Sequence, residues 1–259
     1  MPKFAANLSW MFTDAPFPER FARAGKAGFK AVEFLTPYDF DAAEVASWQK
    51  AAGVETILFN LPPGDWAAGD RGMASSPGRE KEFRSGVATA LRYADALGTT
   101  RLHAMAGLLP AGADPARCRA AFVENLRYAA RELARSGRTL LIEPINHRDM
   151  PGYFLSRQDE AHAIREEVGE PNLKVQMDFY HAQVAEGDLA TTYLTHAAHI
   201  GHVQVASVPE RNEPDDGEVN FRYLFRLLDD LGYDGWIGCE YRPRGVTEDG
   251  LGWMKEWAL

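Results

Sequence analysis

Cysteine is scarce in this chain. Only Cys118 and Cys239 occur among 259 residues, and two thiols in separate segments build neither a disulfide framework nor a zinc cluster. Their surroundings, PARCRAAF and WIGCEY, read as a helix and a buried strand. Long apolar runs are missing too. No stretch reaches the roughly 18 apolar residues that a membrane-spanning helix needs. The opening MPKFAANLSWMF lacks the basic-then-apolar order of a secretory signal. A cytoplasmic protein without membrane contact is the expectation. Basic residues are outnumbered, 28 Lys and Arg against 37 Asp and Glu, for a formal net charge of −9. That balance repels a phosphate backbone, so no nucleic-acid partner is expected. It leaves room for a local basic pocket that takes a small anion. Histidine is sparse as well, with seven residues and no metal-type cluster.

What the chain does have is a repeated alternation. Strand-like runs fall at 3–9, 31–35, 54–60, 100–105, 139–144, 173–178, 202–206 and 235–241. Helical patterns fall between and after them, at 18–28, 42–53, 79–98, 115–137, 158–169, 188–198, 223–232 and 248–257. Several end in glycine, the preferred residue just past a helix. Pro18 and Pro115 sit near helix starts, where a missing N–H costs little. Eight strands alternating with eight helices predict a parallel sheet. An open dinucleotide-binding sheet would carry a glycine-rich first turn, and LSWMFTDAPF has none. The fold class is therefore α/β, a single (β/α)₈ TIM barrel over 1–259, a length common for that domain. Two βα loops are long, at 61–78 and 207–220, and both belong to the functional rim.

Four consecutive strands end in a side-chain oxygen: Glu143, Asp178, Gln204 and Glu240. Each lies about one βα unit from the next, so all four point into the barrel mouth at one height. Three carboxylates at such range repel, and a divalent cation removes that cost. An all-oxygen ligand set suits Mg²⁺ or Mn²⁺ better than Zn²⁺. The bland alternatives are a rim glutamate and an aspartate that merely caps the next helix.

The segments FAANLSWMF (4–12), GFKAVEFLTPYDF (28–40), PPGDWAAGDRG (62–72), LIEPINHRDMPGYF (141–154) and GWIGCEYRPRG (235–245) resemble the hydroxypyruvate isomerase family of xylose-isomerase-like barrels. The resemblance spans essentially the whole chain. It implies interconversion of hydroxypyruvate and 2-hydroxy-3-oxopropanoate (tartronate semialdehyde) through an enediolate. It places the family's metal positions on Glu143, Asp178, Gln204 and Glu240, with Glu143 and Glu240 also serving as the acid/base pair. The chain departs from that pattern at HVQVASVPERNEPDDGEVN (202–220), where Ser207 stands in a position commonly Asp. PDDGE and RPRGVTEDGLGWM look closer to the related 2-oxo-tetronate isomerases, which act on a four-carbon acid, whereas EPINHRDMPGYF looks closer to the hydroxypyruvate isomerases.

Around this set, His181 is expected to donate a hydrogen bond to a substrate oxygen. Arg211 is expected to clamp the carboxylate of a small anionic sugar-acid substrate; its bland reading is a solvated loop arginine paired with Glu210 or Glu213. His103 reads best as a satisfied core histidine. Asn7 and Glu33 end strands and line the mouth on even terms with a packing role. Trp66 and Arg71 lie in a glycine-flanked loop suited to shielding a pocket. Three rivals stand beside the isomerase. A ketose 3-epimerase usually has His where Gln204 stands. An endonuclease of similar fold needs several zinc-binding histidines and a basic groove. A sugar-acid binding protein needs no opposed glutamates on a metal. The sequence leaves assembly into a homo-oligomer open.

Overall fold

A computed structural model of the chain describes residues 1–109 and 112–257. Eight parallel strands close in sequence order: β1 Lys3–Asn7, β2 Ala31–Phe34, β3 Glu55–Asn60, β4 Arg101–His103, β5 Thr139–Ile142, β6 Leu173–Asp178, β7 Ile200–Val205 and β8 Trp236–Cys239. Closure is made by β1 against β8, with Phe4 opposite Ile237 and Ala6 opposite Cys239. The helices are α1 Phe17–Lys26, α2 Ala42–Ala52, α3 Glu80–Leu97, α4 Pro115–Ala134, α5 Gln158–Val168, α6 Phe179–Ala185, α7 Leu189–His196 and α8 Phe221–Asp230. Their ends follow local chemistry. At α2, the Asp41 carboxylate accepts from Ala43 N–H while Glu44 reaches back to Asp41 N–H, and Gly53 closes the helix at φ 64°. Asp114 caps α4 directly before Pro115.

Side chains two residues apart on a strand share a face, and this rule builds the barrel interior in layers. Ala5, Ala31, Leu58 and Leu141 pack together as an apolar floor with Ile57. Two residues further along the same strands stand Asn7, Glu33, Asn60 and Glu143, and all four line a cavity. The polar site is thus the next layer above a dry plug, at the C-terminal ends of the strands. Between strands and helices runs the larger core, rich in Phe, Leu, Val and Ala.

Three details differ from the sequence reading. Helix α6 was not anticipated, because its seven residues are too few to show a helical period. Strands β5 and β8 stop one residue short of Glu143 and Glu240, which therefore sit on the first loop residue. The C-terminal segment Thr247–Glu256 is 3₁₀ rather than α-helical. Among the described residues, no helix is long and apolar enough to cross a membrane.

Candidate active site

A cavity of about 350 Å³ opens at the C-terminal mouth of the barrel. Glu143, Gln204, Glu240, His181 and Arg211 all line it. Asp178 lies just behind, 0% exposed. Its Oδ1 accepts from Tyr180 N–H at 2.8 Å and so caps α6, while its Oδ2 has no hydrogen-bond partner. The capping role and a free inward oxygen coexist on one carboxylate.

The two glutamates are held differently. Glu240 Oε1 accepts from Arg211 Nη2 at 2.6 Å, and its Oε2 accepts from Asn7 Nδ2 at 2.8 Å and Gln204 Nε2 at 2.7 Å. Glu143 Oε1 is buried and without a partner, and its Oε2 lies 3.9 Å from His103 Nε2. Burial pushes the Glu143 carboxyl well above its usual range, reinforced by Glu240 and Asp178. Burial likewise raises Glu240 to about 8 and Asp178 to about 6, with Arg211 opposing both. Gln204 acts as a bridge: its Nε2 donates to Glu33 Oε1 at 2.6 Å as well as to Glu240, and its Oε1 accepts from Gln176 Nε2 at 2.6 Å.

His181 is fixed in one tautomer. Asn146 Oδ1 accepts from Asp149 N–H at 2.9 Å, which turns Asn146 Nδ2 toward His181 Nδ1 at 2.6 Å. The Asn146 backbone N–H points to the same nitrogen. Nδ1 is therefore an acceptor and Nε2 carries the proton. Burial, then Arg211 and Arg148, pushes the His181 pKa well down, so the ring is neutral and presents an N–H. Asn146 gave no signal in the sequence beyond its place in the segment EPINHRDM.

Arg211 is 7% exposed rather than solvated. Besides Glu240, its guanidinium faces Asp178 and Asp149, each at 3.5 Å, and lies over the rings of Trp10 and Tyr180. Burial works against its charge, but Glu240, Asp178 and Glu143 outweigh that and raise its pKa. It pairs with neither Glu210 nor Glu213. Ser207 helps set its place: Arg211 N–H donates to Ser207 O and Asn212 N–H to Ser207 Oγ, with Arg211 at φ 58°.

Other side chains gain roles the sequence reading did not favour. His103 lines the cavity with an unpartnered Nε2, so it is not a satisfied core histidine. Burial, then His202, lowers its pKa to about 3. Glu33 lines the same cavity, with Oε2 2.7 Å from His202 Nε2 and Oε1 accepting from Asn7 at 3.1 Å. Gly238 makes room for it, since a Cβ there would stand 2.3 Å from Glu33 Oε1.

Four buried carboxylates (Glu33, Glu143, Asp178 and Glu240) thus gather at one site, and the buried guanidinium of Arg211 lies against Glu240 and Asp178. Glu143, Asp178 and His181 are, among the described residues, the one acid–imidazole group whose candidate ligand atoms lie within 4.8 Å of one another. The orphaned oxygens of Glu143 and Asp178, the excess of negative charge and the raised carboxyl pKa values all fit a hard divalent cation. The His181 tautomer makes its Nε2 a donor rather than a ligand. Gln204 Oε1, turned to Gln176, is not free in this arrangement.

A family model described as xylose isomerase-like TIM barrel matches residues 21–257. The chain is 58% identical to a 2-oxo-tetronate isomerase of Cupriavidus necator over 99% of both proteins. It is 48% identical to the hydroxypyruvate isomerase of Escherichia coli over 98% of both. A crystal structure from Brucella melitensis, described as an AP endonuclease of family 2, superposes with a TM-score of 0.98 at 53% identity over 100% of both chains.

Proposed function

The chain belongs to the xylose isomerase-like TIM-barrel family, and from that premise we propose that it is a divalent-metal-dependent isomerase moving a carbonyl between adjacent carbons of a small 2-oxo acid. The observation that carries this reading is the placement of Glu143 and Glu240, at the ends of β5 and β8, on one buried cavity, with Glu143 Oε1 left without a partner. A carboxylate beside each of two neighbouring carbons would allow one to take a proton while the other returns one.

Glu143, Asp178 and Glu240 would hold a Mg²⁺ or Mn²⁺ ion, with Gln204 completing the set once its amide oxygen is released from Gln176. Such an ion supplies Lewis-acid stabilisation of negative charge on the substrate's oxygens. Glu143, kept ionised only when a cation offsets the burial and the acids around it, would accept the proton from the hydroxyl-bearing carbon. Glu240, oriented by Asn7, Gln204 and Arg211, serves the neighbouring carbon. His181 Nε2–H donates to a substrate oxygen as charge builds there. Trp10, Trp66 and Ile145 line the cavity and limit water beside the reacting carbons.

Two substrates suit this site. Hydroxypyruvate would give 2-hydroxy-3-oxopropanoate, and 2-oxo-tetronate would undergo the same shift with one more carbon. The 58% identity to a 2-oxo-tetronate isomerase, against 48% to a hydroxypyruvate isomerase, supports the four-carbon acid, as does the PDDGE segment of the β7–α8 loop. Proton NMR of both acids incubated with Mn²⁺-treated and then desalted protein tests the reading. Conversion to the positional isomer is expected. An inverted centre with the carbonyl unmoved would mark an epimerase instead, and unchanged acids would refute the assignment.

A further inference from the structure

The substrate's carboxylate needs a cation of its own, and Arg211 has little left to offer. Its Nη2 is engaged with Glu240, its guanidinium lies against the rings of Trp10 and Tyr180, and its charge offsets the surrounding acids. A second arginine on the same cavity is in the opposite condition. Arg71, in the β3–α3 loop, has no acidic partner among the described residues. Nη1 donates to the carbonyls of Trp66 at 3.1 Å and Asp70 at 2.7 Å, and the guanidinium stacks on the Trp66 ring at 4.0 Å. These contacts orient the group and leave Nε and Nη2 as unused donors.

The loop is built to keep Arg71 free. Its neighbour Asp70 is the acid best placed to neutralise it, yet Asp70 is turned away into a bidentate pair with Arg79, at 2.8 Å for each oxygen. That turn depends on Gly64, at φ 90°, because a Cβ there would stand 2.2 Å from Asp70 Oδ2. Asp70 Oδ2 also accepts from Asp65 N–H, and Gly72 N–H donates to Pro63 O. Beyond Arg71, Gly72 bridges to Ala106, packed too closely on Met105 for any side chain. The adjacent acid is thus occupied by Arg79, and Arg71 is held at the cavity edge without an acidic partner among the described residues.

We propose that Arg71 is the carboxylate anchor of the substrate, with Trp66 as the platform that keeps its planar fork in place. The inference rests on the isomerase reading only in requiring that the natural ligand be an acid. It assigns to the β3–α3 loop the selection of acids over neutral sugars, while Arg211 serves the catalytic carboxylates.

A third arginine, Arg242, also lines the cavity, 5.0 Å from the Trp10 ring centroid, so the test compares Arg71→Ala, Arg71→Lys, Arg211→Ala and Arg242→Ala with the wild type, each checked for an unchanged circular-dichroism spectrum and metal content. Binding is read by ligand-observed NMR on Mg²⁺-loaded protein, using pyruvate and its neutral counterpart hydroxyacetone, so this arm needs no turnover. Arg71→Ala is expected to weaken pyruvate roughly ten- to hundredfold relative to hydroxyacetone, with Arg71→Lys in between. For hydroxypyruvate or 2-oxo-tetronate turnover, the loss should lie mainly in KM. Arg211→Ala should affect acid and neutral ligands alike. Equal effects of Arg71→Ala on both ligands, a selective effect at Arg242 or Arg211 instead, or no pyruvate binding by the wild type would overturn the anchor. Selective pyruvate binding with no isomerisation by the wild type would leave the anchor standing and refute the isomerase reading.

Discussion

Glu143 and Glu240 are chemically identical side chains made different by what their oxygens touch. One has an orphaned oxygen, and the other accepts three hydrogen bonds. Replacing either by Gln keeps the shape and removes the base. Glu143→Gln and Glu240→Gln should each lower turnover at least about a hundredfold, measured at matched metal content. A metal-loaded Glu143→Gln enzyme with near wild-type turnover would remove that residue from the chemistry. Asn146 offers a subtler test. Asn146→Asp would present an acceptor to His181 Nδ1, move the ring proton there and strip Nε2 of its hydrogen. A turnover loss of roughly a hundredfold, the scale of one lost donor at a developing charge, is expected. Histidine ¹⁵N shifts would show whether the tautomer changed. Unchanged turnover with a switched tautomer would exclude His181 as the donor. At this scale the sequence exposed much of the site, because each of the four predicted residues ends a strand-like run. Asn146 and the pairing of His202 with Glu33 escaped it, since contacts between residues 169 apart leave no local periodicity.

Elements carry these residues only because strands and loops fit closely. Strand β8 shows this at Gly238, whose missing side chain admits Glu33. Gly238→Ala should cost about 1–3 kcal/mol, the range for an added methyl in a filled core, read as a lowered denaturant midpoint with unchanged slope. Glu33→Ala in the same chain should recover part of that loss. If it recovers none, the contact is not where the strain falls. On the outer layer, His162 of α5 stacks on His196 of α7 at 3.8 Å with both of its ring nitrogens unpartnered. Burial, followed by His196, Arg165 and His199, lowers its pKa to about 3. An unfolded histidine binds a proton near pH 6.5, so between about pH 6.5 and 3 the unfolded state holds more protons and stability falls as pH falls. His162→Phe keeps the stack and removes the proton site. Its melting temperature should match wild type near pH 7.5 and exceed it near pH 5, and equal acid sensitivity would refute the assignment. The strand positions were readable from short apolar runs between glycines. Helix α6 was not, because Phe179–Ala185 spans barely two turns.

For the whole molecule, closure of eight strands turns separate strand ends into one electrostatic object. Barrel class and element order were legible because a β–α alternation with no glycine-rich first turn leaves few topologies. The charge imbalance inside the mouth was legible only in part. The strand-end carboxylates, Glu33 among them, and Arg211 could be named along the chain, but that Arg211 is buried against Glu240 and Asp178 required the fold. The proposed divalent cation would offset that imbalance, and the proposed isomerisation depends on it. The most direct measurement is the rate of hydroxypyruvate and 2-oxo-tetronate isomerisation by protein stripped of metal by prolonged chelation, with residual metal verified, before and after Mn²⁺ or Mg²⁺ is returned. Activity on at least one acid should be absent in the stripped protein and return with the ion. Full activity in demonstrably metal-free protein would contradict this reading of the site.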